Sequence, residues 1–113
     1  MYKSNDSLVL DITDENSEDY IKSEEHLLID CWAPWCKQCT QLNLIIEGVA
    51  KISRNEIAIG KLNVDNNVKT SKKFGIKSIP SILIFKNGKL ENIFVGFNSS
   101  WTPENLKSLI LEH

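Results

Sequence analysis

Two cysteines separated by two residues, Cys36-Lys37-Gln38-Cys39, are the side chains of this 113-residue protein best suited to chemistry. Thiols at that spacing can bind a metal, or they can exchange between dithiol and disulfide. A structural zinc needs four ligands, mostly thiolate and imidazole. Beyond the pair the chain offers only Cys31, His26 and His113, with no second Cys-x-x-Cys. The ligand count therefore favours thiol–disulfide exchange over metal binding. Cysteines that merely pack as small apolar groups would explain neither the spacing nor the position.

That position has a chemical consequence. The apolar run Leu27–Trp32 is short and flanked by polar residues, as in a strand buried on both faces. After an aromatic turn, Leu42, Ile45, Ile46, Val49 and Ile52 recur at helical spacing, which predicts a helix from Cys36 to about Ser53. The pair thus sits where a strand hands over to a helix N-terminus. Unpaired amides and the helix dipole favour negative charge there, so the first thiol should ionise readily. Cys36 is the candidate nucleophile, at the exposed end of the turn. Cys39, one turn on and deeper, is the candidate resolving thiol, within bridging reach on the same helix face.

Asp30 lies inside the apolar run and is costly to bury without a partner. Desolvation should raise its pKa and suit it to move the proton of Cys39. The competing expectation is a carboxyl tied up by Lys61 with no chemical part. Cys31, the next residue, points to the other face of the strand and is expected to be a buried core thiol.

The segment Trp32-Ala33-Pro34-Trp35-Cys36-Lys37-Gln38-Cys39 closely resembles the active-site motif of the thioredoxin family. Further matches follow in order: Lys61–Asp65, the proline-bearing segment Phe74–Ser81, the turn Phe85–Gly88, and Val95-Gly96. The resemblance runs from about Leu8 to Leu111. It implies a proton-transfer role for Asp30, tuned by Lys61. It also implies a cis bond at Ile79-Pro80, although most prolyl bonds in folded proteins are trans. The Ile79 backbone would then be free to pair with an extended substrate segment, with Trp35 and Gly96 completing an apolar docking surface. Trp32 is expected to pack beneath the turn, and Trp101 to be surface or packing.

Around these residues the chain reads in the order β-α-β-α-β-α-β-β-α. A first strand is expected at Leu8–Ile12, then a helix over Glu15–Lys22 capped by Thr13 or Asp14. A strand over Ile57–Val64 and a short helix Asn67–Phe74 closed by Gly75 come after the long helix. Asn87-Gly88 signals a two-residue hairpin between Ser81–Lys86 and Lys89–Val95. Thr102-Pro103 opens a last helix. This is an α/β chain with a mixed sheet of about five strands flanked by about four helices, the thioredoxin fold that the resemblance implies. One domain is expected to span the 113 residues.

A net charge of −2, without clustered lysines, gives no reason to expect nucleic-acid binding. No apolar run approaches a membrane span, and the first residues lack the apolar stretch of a signal peptide, so a monomer in the reducing cytoplasm is expected. No nucleotide fingerprint is present, so no cofactor of its own is expected. The resemblance implies a thiol–disulfide oxidoreductase acting on protein disulfides and recharged by an NADPH-dependent thioredoxin reductase in a separate chain. An oxidase or isomerase, or a non-catalytic scaffold, are the alternatives.

The chain departs from the family at several points. Lys37-Gln38 replaces the common Gly-Pro between the cysteines and is expected to tune the potential upward. Leu44 replaces a helix-kinking proline, Thr40 replaces a common lysine, and Asn98–Trp101 lengthens the last connection.

Overall fold

The computed structural model describes residues 9–112. Leu8 of the expected first strand and the N-terminal segment lie outside them. In chain order the elements are β1 (Leu10–Ile12), α1 (Ser17–Ser23), β2 (His26–Trp32), α2 (Lys37–Ser53), β3 (Ala58–Asn63), α3 (Val68–Lys73), β4 (Ser81–Lys86), β5 (Lys89–Val95) and α4 (Pro103–Leu111).

The sheet order is β1-β3-β2-β4-β5. β3 runs parallel to both β1 and β2, β4 antiparallel to β2, and β5 antiparallel to β4. β2 is therefore interior, paired on both edges and covered on both faces. Its alternating side chains divide between two cores. Leu28 joins Leu42, Ile46 and Val49 of α2, Ile59, Ile82 and Ile84, and Leu106 and Ile110 of α4. Leu27, Ile29 and Cys31 join Ile12, Ile21, Leu62, Leu83 and Phe85 on the opposite face. Fully burying such a side chain contributes about 1.5–3 kcal/mol, so β2 is anchored from both sides.

The turn chemistry follows the sequence closely. Asn87 and Gly88 both have positive φ, 50° and 85°, as a type I′ hairpin requires. At the end of α3, Gly75 at φ 67° donates to the Lys72 carbonyl and Ile76 to that of Ser71, a Schellman motif. The last helix starts with a capping box. The Thr102 hydroxyl accepts the Asn105 N–H at 3.1 Å, and the Asn105 amide oxygen accepts the Thr102 N–H at 2.9 Å. Trp101 resolves to packing, edge-to-face on Phe94 at 6.1 Å.

One expected boundary and one expected cap change. The first helix begins at Ser17 rather than Glu15. Thr13 and Asn16 bond each other's N–H groups reciprocally, at 2.7 and 3.2 Å, and this turn uses up the residues before the helix. Asp14 caps a different helix. Its carboxylate accepts the Thr70 N–H and hydroxyl at 2.8 and 2.7 Å, bracing the start of α3. The Thr70 hydroxyl is the main reason that the Asp14 pKa is held below its ordinary value.

Candidate active site

Residues 33–36 turn the chain from the end of β2 into α2. Cys36 is the N-cap of α2 rather than its first residue. Its backbone is extended and its sulfur accepts the Cys39 N–H at 3.2 Å. Cys36 and Cys39 are joined in a disulfide, with Cα atoms 5.3 Å apart. The expected difference in depth is small: Cys36 is 9% exposed and Cys39 4%. The exposed groups at this turn are its flanks, Pro34 and Trp35 before the sulfur and Lys37 and Gln38 after it. α2 is one unbroken helix, with Leu44 on its solvent face, 70% exposed.

Strand alternation puts Asp30 on the same face of β2 as Leu28, beneath α2 and α4. Its neighbours across the sheet are Lys61 on β3 and Ile82 on β4. Asp30 is fully buried, and neither carboxylate oxygen has a hydrogen-bond partner among the described residues. Burial pushes its pKa up to about 7, with the Lys61 charge pulling in the opposite direction. The expectation that Lys61 ties up this carboxyl is overturned. The Lys61 ammonium instead donates to the Asn43 amide oxygen at 2.6 Å and lies 4.6 Å from the centroid of the Trp32 ring. Cation–π attraction and a short hydrogen bond hold it on the solvent side of the sheet end.

The bond between Ile79 and Pro80 is cis. Pro80 is buried just before β4, and its carbonyl accepts the Gly96 N–H at 2.8 Å, which joins the segment before β4 to the end of β5. Gly96 has φ 91°, a conformation that favours glycine. Ile79 is half-buried and packs on the core beside α1 and α3. Trp35 is 69% exposed rather than a plug, and its indole N–H donates to Asp65 at 3.0 Å.

Two residues that hydrogen-bond these groups, Asn43 to Lys61 and Asp65 to Trp35, are not singled out as functional groups by the sequence pattern. Asn43 lies four residues after Cys39, on the same helix face, and that spacing was the available signal. Asp65 follows β3, whose end lies level with that of β2 through the pairing of Trp32 with Asn63. Cys31, in contrast, sits on the opposite face, fully buried, where burial pushes its thiol up to about 12. Trp32, half-buried under the Lys61 ammonium, packs at the base of the turn as expected.

Comparison with known proteins agrees with this geometry. The thioredoxin family profile matches residues 8–110. A thioredoxin from Rickettsia bellii is 37% identical over 101 residues, covering 84% of this chain and 96% of that protein. A thioredoxin from Alicyclobacillus acidocaldarius is 35% identical over 86 residues, 76% of this chain and 82% of the relative. A single-site mutant of a thioredoxin from Halobacterium salinarum superposes with a TM-score of 0.81 at 25% identity, covering 99% of this chain and 95% of that one. A Malassezia sympodialis thioredoxin, 24% identical over 93% of this chain and 90% of its own, shares the fold with a TM-score of 0.80. With its redox-active Cys36–Cys39 pair at the start of α2, this chain belongs to the thioredoxin family of thiol–disulfide oxidoreductases.

Proposed function

We propose that this protein works in the reducing direction, delivering two electrons to disulfides of protein substrates. The observation that carries the reading is the Cys36–Cys39 disulfide at a helix N-terminus, on the face of β2 that also holds a buried, unpartnered carboxyl, Asp30.

In the dithiol form, the Cys36 thiolate attacks one sulfur of the substrate disulfide. That S–S bond breaks, a mixed disulfide forms, and the departing substrate sulfur takes a proton from solvent. Asp30 accepts the Cys39 proton. The Cys39 thiolate then attacks the Cys36 sulfur, the Cys36–substrate S–S bond breaks, and the second substrate sulfur leaves as a thiol with the proton that Asp30 gives up. The product is the Cys36–Cys39 disulfide of this structure. An NADPH-dependent thioredoxin reductase in a separate chain returns the pair to the dithiol, which suits a reducing compartment such as the cytoplasm.

Trp35, Ile79, Pro80 and Gly96 form the docking edge for the substrate. Ile79 supports this role because its backbone makes no hydrogen bond to another turn or loop residue among those described. An extended substrate segment can pair with it by strand addition. Lys37 and Gln38 tune the couple from the first turn of α2.

Reduction of insulin, followed by turbidity with dithiothreitol as the electron source, tests the reading. Cys36→Ser is expected to fall to the rate of the dithiothreitol control. Turnover that survives the substitution would sink the proposal and leave the fold as a scaffold.

A further inference from the structure

Asp30 and Lys61 are directly paired across β2 and β3, yet they form no ion pair. The Lys61 ammonium is held by the Asn43 amide oxygen at 2.6 Å, and the Asn43 amide N–H donates to Glu47 at 3.1 Å. The second bond fixes which end of the amide faces the lysine. Asn43, Lys61, Trp32 and Cys39 also line one cleft of about 120 Å³, so the held lysine and Cys39 border the same space.

We propose that Asn43 is a positioning residue: it anchors the Lys61 ammonium away from the Asp30 carboxyl and so sets the proton affinity of Asp30. A lysine free to turn inward could form a direct bridge with its neighbour on β2. A cation within about 4–6 Å of a carboxylate lowers its pKa by about 1–3 units. Anchored on Asn43 and Trp32, Lys61 acts only from a distance, and desolvation dominates at Asp30.

Among the described residues no other group offers the same control. β4 faces Asp30 with Ile82, and α4 packs on this core through Leu106 and Ile110. The charged residues of α4 look elsewhere: Lys107 pairs with Glu56, and Glu104 and Glu112 are exposed or at the helix end. α2 contributes Cys39, in the disulfide, and Glu47, which reaches Lys61 only through Asn43. Cys31 lies on the opposite face of the strand.

The inference rests on the proposed role of Asp30 only for its catalytic meaning, and two readouts keep them apart. The first is direct titration of the Asp30 carboxyl carbon by NMR in the disulfide form. Asn43→Ala is expected to lower that pKa by about one unit or more, as the released lysine turns inward. Asn43→Asp, which grips the cation more tightly and neutralises it, is expected to hold the pKa at or above the wild-type value. An Asp30 titration unchanged or raised in Asn43→Ala would overturn the proposal. So would a fall in Asn43→Asp equal to that in Asn43→Ala. The second readout is the pH profile of insulin reduction. If the titration moves and the profile does not, Asn43 still sets the proton affinity, but Asp30 is not the proton carrier.

Discussion

Asp30 and Cys31 are consecutive on β2, both fully buried, and both pushed to higher pKa first by desolvation. They face opposite sides of the sheet, and their chemistry is opposite too. Burial brings the carboxyl to about 7, inside the range where protons are exchanged in cells. The same penalty carries the thiol to about 12, where no thiolate is available to react. The layers opposite them widen the difference. Asp30 looks toward α2, whose first turn holds the disulfide, and has Lys61 beside it on the sheet. Cys31 looks toward Ile12, Leu62, Leu83 and Phe85. Low dielectric alone does not make an active site; the ordinary pKa of the group and the element packed above it decide.

The largest test of this contrast removes the carboxylate charge. A folded pKa near 7 against an ordinary 3.8 means that the folded state binds the proton more tightly. Stability is then unaffected below about pH 4, falls as pH rises toward 7, and stays low above that. Asp30→Asn should be more stable than the wild type at pH 8 by on the order of 4 kcal/mol, since three pKa units at about 1.36 kcal/mol each are relieved. The gain should vanish near pH 4. Urea unfolding of the disulfide form at both pH values checks it, and an equal gain at both would break the comparison. The same variant should reduce insulin more slowly.

On the other face, Cys31→Ser should cost about 1–3 kcal/mol by burying a hydroxyl without a partner. Its insulin-reduction rate, measured well below the melting temperature, should match the wild type. A large loss of turnover without unfolding would give Cys31 a role that its position denies.

The smallest effect concerns the exposed lysine between the cysteines. A cation one residue from Cys36 favours the dithiol form, so Lys37→Gln should lower the reduction potential. Exposed charges couple weakly, and a shift of only about 5–20 mV is expected. Equilibration with glutathione measures it, and an unchanged or raised potential would remove Lys37 from the tuning of the site.

Most of the architecture was legible in the chain because its signals are local. Asn87-Gly88, Gly75, and Thr102 with Pro103 each fix a turn or a cap through their own backbone preferences. The handover from Trp32 to Cys36 was readable for the same reason: a short continuous apolar run gives way to a helix period across four residues. What escaped depends on partners distant in sequence. Asp14 could have capped its own helix, and only the folded chain brings Thr70, 56 residues away, within its reach. Lys61 had Asp30 as an obvious partner across the sheet, but Asn43, 18 residues upstream, holds it instead. Side-chain choices of that kind are settled by packing after the backbone is placed, and neither propensity nor periodicity encodes them.

The sulfur of Cys36 already receives the amide proton of Cys39 while the two residues are bonded to each other. When electrons arrive and that sulfur becomes an anion, the dipole that must soothe it is in place and aimed. A donor aimed before the bond is reduced leaves less of the main chain to rearrange when the thiolate forms.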